Sequence, residues 1–351
     1  MKKTLLLTQA LVASALVVHC APKTEPVPPE PAPAVPVEEA TPAEEPKGES
    51  ASSQPSAEEQ ERAEALKRLE ADRARMKQEN AIELARWTPE LRAEAKAAAD
   101  KSYGSGRAAL QAVLKAKFRK PGNSERDTQR HPLETLEFFG LQPTSTVLEY
   151  GPGEGWYTEL LAPALAKKGS LLVTNTDPKG PASERNTFYG ERVQLVLERS
   201  PELFGKVQTV VFDPKAPQLG LEGKVDLALV IRGLHGMVNS GTLDAWLREI
   251  HVALKPGGTL GIVQHRARPD AVAEVSSKQG YLPEAWVIAK IEAAGFSLAK
   301  KSEINANPKD TKDYPDGVWT LPPSLRLGEV ARDKYTAIGE SDRMTLKFVK
   351  K

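Results

Sequence analysis

The chain has one cysteine, Cys20, in 351 residues. That excludes an intramolecular disulfide and any Cys-x-x-Cys zinc or redox site. It has no excess of either charge: 48 Lys and Arg against 47 Asp and Glu leave a formal charge of +1. Neither a wholly basic nucleic-acid binder nor an acidic solvating chain has that balance, and no nucleic-acid partner is expected. Five histidines fall in no spacing that favours a metal site. There is no Gly-Lys-Ser/Thr phosphate loop, so nucleotide phosphates are not supported as ligands. No internal repeat is visible. With 40% hydrophobic residues, a core is within reach, in one large domain with extensions or in two domains.

The chain begins Met1-Lys2-Lys3, and Leu5–Val18 is an uncharged run of 14 residues. That is short of the ~20 residues a membrane-spanning helix needs, and it reads as the apolar core of a signal peptide. The run ends Val17-Val18-His19-Cys20. This resembles the lipobox of bacterial lipoproteins, with His19 where a small residue is usual. The resemblance implies lipidation of Cys20 and a cell-envelope location; an ordinary signal peptide cut near Ala21 is the alternative.

Residues 21–60 hold ten Pro and nine Glu among forty. Such a segment has little to bury and is expected to be an extended tether. Residues 61–101 are rich in Ala, Glu, Arg and Lys. Glu64/Arg68 is a helix-supporting i,i+4 pair, and a solvated, charged helical arm is expected rather than a coiled coil.

From residue 102 to the C-terminus the character is globular. His131–Gly140 reads as a short helix with Pro132 at its first position. Strand-like stretches follow at Thr146–Tyr150, Leu171–Thr174, Val207–Phe212, Val225–Ile231, Thr259–Val263 and Met344–Val349. Helical stretches at Trp156–Ala166, Leu243–Leu254 and Trp286–Ala294 fall between them. This alternation predicts an α/β fold, a mostly parallel sheet with helices on both faces.

The most informative segment is Glu149-Tyr150-Gly151-Pro152-Gly153-Glu154-Gly155-Trp156, a strand running through a glycine turn into a helix. Glycines there let the backbone approach a ligand where a Cβ would collide. A dinucleotide fingerprint needs a small residue where Trp156 stands, which disfavours an NAD-binding oxidoreductase. The spacing G-x-G-x-G, with Glu149 two residues before it, resembles motif I of class I methyltransferases that use S-adenosylmethionine. The resemblance implies a Rossmann-like methyltransferase fold with a C-terminal antiparallel strand. It implies that Gly151, Gly153 and Gly155 approach the amino-acid half of the cofactor and that Glu149 holds its ammonium group. Asn175, or Asp177 two residues on, falls where the family places an acidic ribose partner, and Asp213 falls near the adenine amino group. Long strings also resemble an uncharacterised group of predicted exported methyltransferases. These include Arg130-His131-Pro132, His265-Arg266-Ala267, Ser302–Asp310 and Gly339–Met344.

Methyl transfer needs an aligned nucleophile and, for oxygen or nitrogen acceptors, a base. Candidates follow the fourth and fifth strands, at the cofactor edge of the sheet: Arg232 and His235, then His265 and Arg266. Glu303, Asn305 and Asn307, in a polar loop between the last two strands, are candidate contacts for a small-molecule substrate. Two functions stay open. One is a membrane-tethered methyltransferase acting on a small molecule or envelope component; the other is an inactive, ligand-binding lipoprotein of the same fold. The cofactor is made in the cytoplasm and the leader points outside it, which weighs for the second. The intact glycine turn weighs for the first.

Overall fold

The computed structural model describes residues 56–351. The leader, Cys20 and the tether up to residue 55 lie outside the described residues. Ser56 starts the first helix, Ala57–Arg86 (α1), through a reciprocal cap: its hydroxyl accepts from Glu59 N at 3.2 Å and the Glu59 carboxylate accepts from Ser56 N at 2.7 Å. Thr88 caps Pro89–Asp100 (α2), with proline at the first helical position. The segment expected as a charged arm is thus two helices, both seated on the domain. Leu69 and Met76 of α1 pack on Phe188. Trp87 and Ala95 enter the core cluster that holds Leu110, Phe118 and Leu160. Arg73 pairs with Glu191 at 2.7 Å, and Arg199 donates to Asn80 at 2.7 Å.

Gly106–Val113 (α3), Asp127–Arg130 (α4) and Pro132–Phe139 (α5) lead to the sheet. Gly140 ends α5 in the left-handed region at φ 90°. The alternation then runs Thr146–Tyr150 (β1), Thr158–Leu165 (α6), Ser170–Asn175 (β2), Arg185–Glu198 (α7), Pro201–Phe204 (α8), Gln208–Val211 (β3) and Val225–Ile231 (β4). Leu234–Asn239 (α9), Leu243–Ala253 (α10), Leu254–His265 (β5), Ala273–Ser276 (α11) and Glu284–Ala293 (α12) follow. Phe296–Ser302 (β6), Arg332–Ile338 (α13) and Arg343–Lys350 (β7) complete the chain.

The seven strands are ordered β3-β2-β1-β4-β5-β7-β6. β1 to β5 are mutually parallel, and β7 runs antiparallel between β5 and β6. This is the expected α/β, Rossmann-like methyltransferase fold. Alternate residues of the central strands feed two cores. Leu148, Ala228, Val230 and Ile262 face one cluster with Trp246 and Ile250. Val147, Val173, Leu227 and Leu229 face the other with Leu160 and Leu165. Each fully buried Leu contributes about 1.5–3 kcal/mol. Strand order reverses between β1 and β4, so a crevice opens at their carboxyl ends, where doubly wound sheets bind ligands. Among the described residues no helix is long and apolar enough to cross a membrane.

Candidate active site

The glycine turn sits at that crevice. Gly151, Gly153 and Gly155 have φ of 58°, 61° and 81°, a region that L side chains enter only with strain. The Gly151 N–H donates to Thr174 Oγ1 at 2.9 Å, which ties the turn to β2. A Cβ on Gly151 would meet nothing within 4 Å, and one on Gly153 only Gly151 O at 4.0 Å. Both glycines face open space. Gly155 differs: its Cβ would lie 2.7 Å from Val196 Cγ1, so it serves the packing of α7 under the turn.

Gly151 and Gly153 wall a first cavity of about 680 Å³. Tyr150, Phe212 and Trp246 give it an aromatic side, with ring centroids 4.7 and 4.6 Å from Trp246. Asn175 ends β2 at its wall and donates to Gly190 O at 3.2 Å. Among the described residues, Arg192 and Lys215 are its cations, and no Asp or Glu lines it.

Glu149 stands behind the turn, 3% exposed, and accepts from Thr158 Oγ1 at 2.8 Å. With that one hydrogen bond to offset burial, its carboxyl is pushed up to about 7. Asp177 and Asp213 lie outside the first cavity, in a neighbouring crevice beyond Thr176 and Phe212. Each folds back on its own backbone, accepting from Lys179 N and Lys215 N at 2.9 and 2.8 Å.

A second cavity, about 380 Å³, shares Gly151, Pro152, Gly153 and Arg192 with the first. His235, after β4, and His265, ending β5, meet in its wall with ring centroids 5.8 Å apart. His265 Nδ1 lies 2.5 Å from Ser341 Oγ. His235 Nδ1 lies 3.4 Å from Gln264 Nε2, which donates to Gly280 O at 2.9 Å. Burial lowers the affinity of both imidazoles for a proton, and for His265 the neighbouring His235 and Arg232 add to it. Both shifts favour the neutral ring.

The other candidates fall elsewhere. Arg266 turns away from the cavity, toward Glu303 at 2.7 Å and Glu284 at 3.3 Å. Glu303 is exposed. Asn305 is buried and donates to Thr135 and Thr345, both at 3.0 Å. Asn307 donates to Ile338 O and Glu340 O at 2.8 and 2.7 Å. These asparagines pin the loop to the sheet. The cover over the second cavity is made by Val318, Trp319, Pro322 and Pro323, further along the chain.

Sequence reasoning singled out Arg232 but assigned no role to the rest of the charged cluster at this cavity. Arg130 and Arg343 grip the Glu340 carboxylate at 2.8 and 2.7 Å, while Arg126 and Arg232 stand 3.5 and 3.9 Å from it. Burial would raise Glu340, but Arg130, Arg343 and Arg232 outweigh it and hold the carboxyl low. The strings Arg130-His131-Pro132 and Gly339–Met344 carried the signal, as family resemblance without a role. Among the described residues, no group of three His, Cys, Asp or Glu stands together as a metal site.

No family model matches this chain, and no curated protein does. Solved structures similar to it include an SAM-dependent methyltransferase from Aquifex aeolicus. It is 18% identical, with 67% of this chain and 96% of that one covered and a TM-score of 0.43. An S-adenosylmethionine-dependent methyltransferase from Mesorhizobium loti is 14% identical, covering 62% and 97%, with a TM-score of 0.38. The cyclase SpnF is 18% identical, covering 63% and 80%, with a TM-score of 0.42. At this identity the likeness is one of fold, and the chemistry has to be argued from the residues of this chain.

Proposed function

We propose that this chain is an S-adenosylmethionine-dependent methyltransferase, anchored through lipid on Cys20 in the cell envelope and acting on a small molecule or envelope component. The observation that carries the reading is the glycine turn. Two left-handed glycines with open space beyond them form a common wall between two cavities, at the switch point of the sheet. The residues present fit the cofactor. A Cβ at Gly151 or Gly153 would project into the space it needs. Tyr150, Phe212 and Trp246 offer an apolar wall for adenine, and Asn175 an acceptor for a ribose hydroxyl. Arg192 and Lys215 suit the carboxylate, and Glu149 behind the turn supplies negative charge toward the ammonium group once ionised.

The bound cofactor would supply an electrophilic methyl group on a sulfonium. The chain's own part is to hold an acceptor across the glycine wall and to take its proton. His235 and His265, both shifted toward the neutral form by burial, line the acceptor side and are the groups able to do so. One observation favours a ligand-binding protein without transferase activity: among the described residues, the first cavity has two cations and no carboxylate in its wall.

The test is calorimetric titration of the full chain with S-adenosylmethionine, with NAD as control. Micromolar binding of the former alone is expected, and Gly153→Asp should abolish it. A folded wild-type chain that binds neither would refute the transferase reading in favour of the binding protein. Unchanged affinity in Gly153→Asp would show that the pocket lies elsewhere.

A further inference from the structure

The second cavity carries more positive charge than its own structure uses. Arg126, Arg130, Arg232 and Arg343 surround one carboxylate, Glu340. Arg192 lines the cavity as well, and the other carboxylate in the wall, Glu154, is held by Lys120 at 3.1 Å. Two other guanidinium groups of the chain are balanced by carboxylates. Arg119 meets both Glu159, at 2.9 Å, and Asp127, and Arg86 takes Glu83. Around Glu340 the balance fails, four guanidinium groups to one carboxylate.

Arg130 has a side chain 2% exposed, and its Nη2 has no hydrogen-bond partner among the described residues. The Arg343 Nε and the Arg192 Nε are likewise buried without hydrogen-bond partners among the described residues. The Arg232 guanidinium makes no hydrogen bond among the described residues, its nearest countercharge being Glu340 at 3.9 Å. Burial, together with Arg130 and Arg343, brings Arg232 down to about 9. Burial also lowers Arg126 and Arg343. Buried charge without a partner is destabilising, and guanidinium forks match oxyanions in geometry. Trp156, Trp319, Val318 and Pro322 give the wall an apolar stretch, beside His235, His265, Ser324 and Ser341.

We propose that the second cavity binds a small organic anion, its carboxylate or phosphate group held by Arg126, Arg130 and Arg232 and its apolar body lying against Trp156 and Trp319. In making that anion the methyl acceptor, the inference rests on the transferase reading; as a binding site it stands without it. The glycine wall would then separate the cofactor from an acceptor whose charge offsets the guanidinium groups beside it.

The experiment is calorimetry on the full chain with benzoate, phenyl phosphate and the neutral isostere benzamide. At least one anion should bind, more weakly as salt rises, and benzamide should not. Arg232→Gln and Arg126→Gln should each weaken anion binding about tenfold or more, the effect of one lost charge-assisted contact. Neither arginine lines the first cavity, so S-adenosylmethionine binding should persist in both variants and also reports that they are folded. Anions binding no better than benzamide, or binding equally well to wild type and both variants, would overturn the proposal. Anion binding without cofactor binding in the wild type would leave this site standing and sink the transferase reading. Cofactor binding without anion binding would do the reverse.

Discussion

Removing the charge of Glu149 separates the folding role of the glycine turn from its ligand role. The carboxyl is buried with one hydrogen bond, from Thr158, and burial moves it from 4.5 to about 7. A group with a raised pKa binds its proton more tightly in the folded chain. Its contribution to stability is therefore complete below pH 4.5 and is lost as pH rises through about 7. At about 1.4 kcal/mol per pH unit between the folded and unfolded values, that loss is about 3 kcal/mol. Glu149→Gln keeps an acceptor for Thr158 and abolishes the titration. Its new amide N–H₂ lacks a partner at a cost of about 1–3 kcal/mol, constant with pH. The assay is urea unfolding of both proteins from about pH 4.5 to about pH 8. The stability of the variant relative to wild type should rise by about 3 kcal/mol across that range, whatever its starting offset. Parallel profiles would refute the argument. The same proton bears on binding, because a cofactor ammonium near the turn favours the ionised carboxylate. Wild-type affinity should tighten nearly tenfold between about pH 6 and about pH 7.5, and the variant should not follow.

Two further outcomes are expected. Gly155→Ala combines a left-handed backbone with a methyl 2.7 Å from Val196, and should lose about 2–4 kcal/mol in urea unfolding. Gly151→Ala meets open space and should lose only about 1–2 kcal/mol, and equal losses would contradict the separate roles given to the two glycines. Cys20→Ser should move the protein from the membrane to the soluble fraction, and retention of the variant would remove the lipid anchor.

Buried strands were the most legible part of the fold. Thr146–Tyr150 and Val225–Ile231 are short runs rich in Val and Leu, and they form β1 and β4 as read. β5 begins five residues earlier than expected, at Leu254. There Lys255-Pro256-Gly257-Gly258 reads as turn chemistry, and the pairing with β4 shifts register between Val225 and Leu227. β6 carries Lys300 and Lys301 within the strand and is half exposed, so no apolar pattern announces it. His235 and His265 were accessible because position alone argues for them: both follow central strands at the ligand edge. Arg232 was named on the same ground, but the arginine cluster was not legible, because Arg126, Arg130, Arg232 and Arg343 are far apart in the chain and meet only once β7 is seated beside β5. The loop from Glu303 misled for a related reason. Its polar residues look solvated in sequence, yet Asn305 and Asn307 are consumed in holding β7 and Glu340 in place.

That use of Asn307 bears on what Glu340 is for. The residue is fixed from several directions: Asn307 donates to its carbonyl at 2.7 Å, and its N–H donates to the Gln129 side chain. Arg343 reaches Gln129 O at 2.6 Å while gripping the Glu340 carboxylate. A carboxylate so rigidly placed sets the positions of the guanidinium groups around it more than it neutralises them. The backbone beside the cluster is strained as well. His131 and Arg232 are non-glycine residues at φ 43° and 58°, each costing of order 1 kcal/mol or more. A purely structural ion cluster would be expected to relieve either the charge excess or the strain; the pairing of Arg119, which also packs on Trp156, does balance its charge. This cluster retains both at the wall of a cavity. A ligand that binds only the folded state returns that free energy on binding, and the charge it must carry to do so is negative.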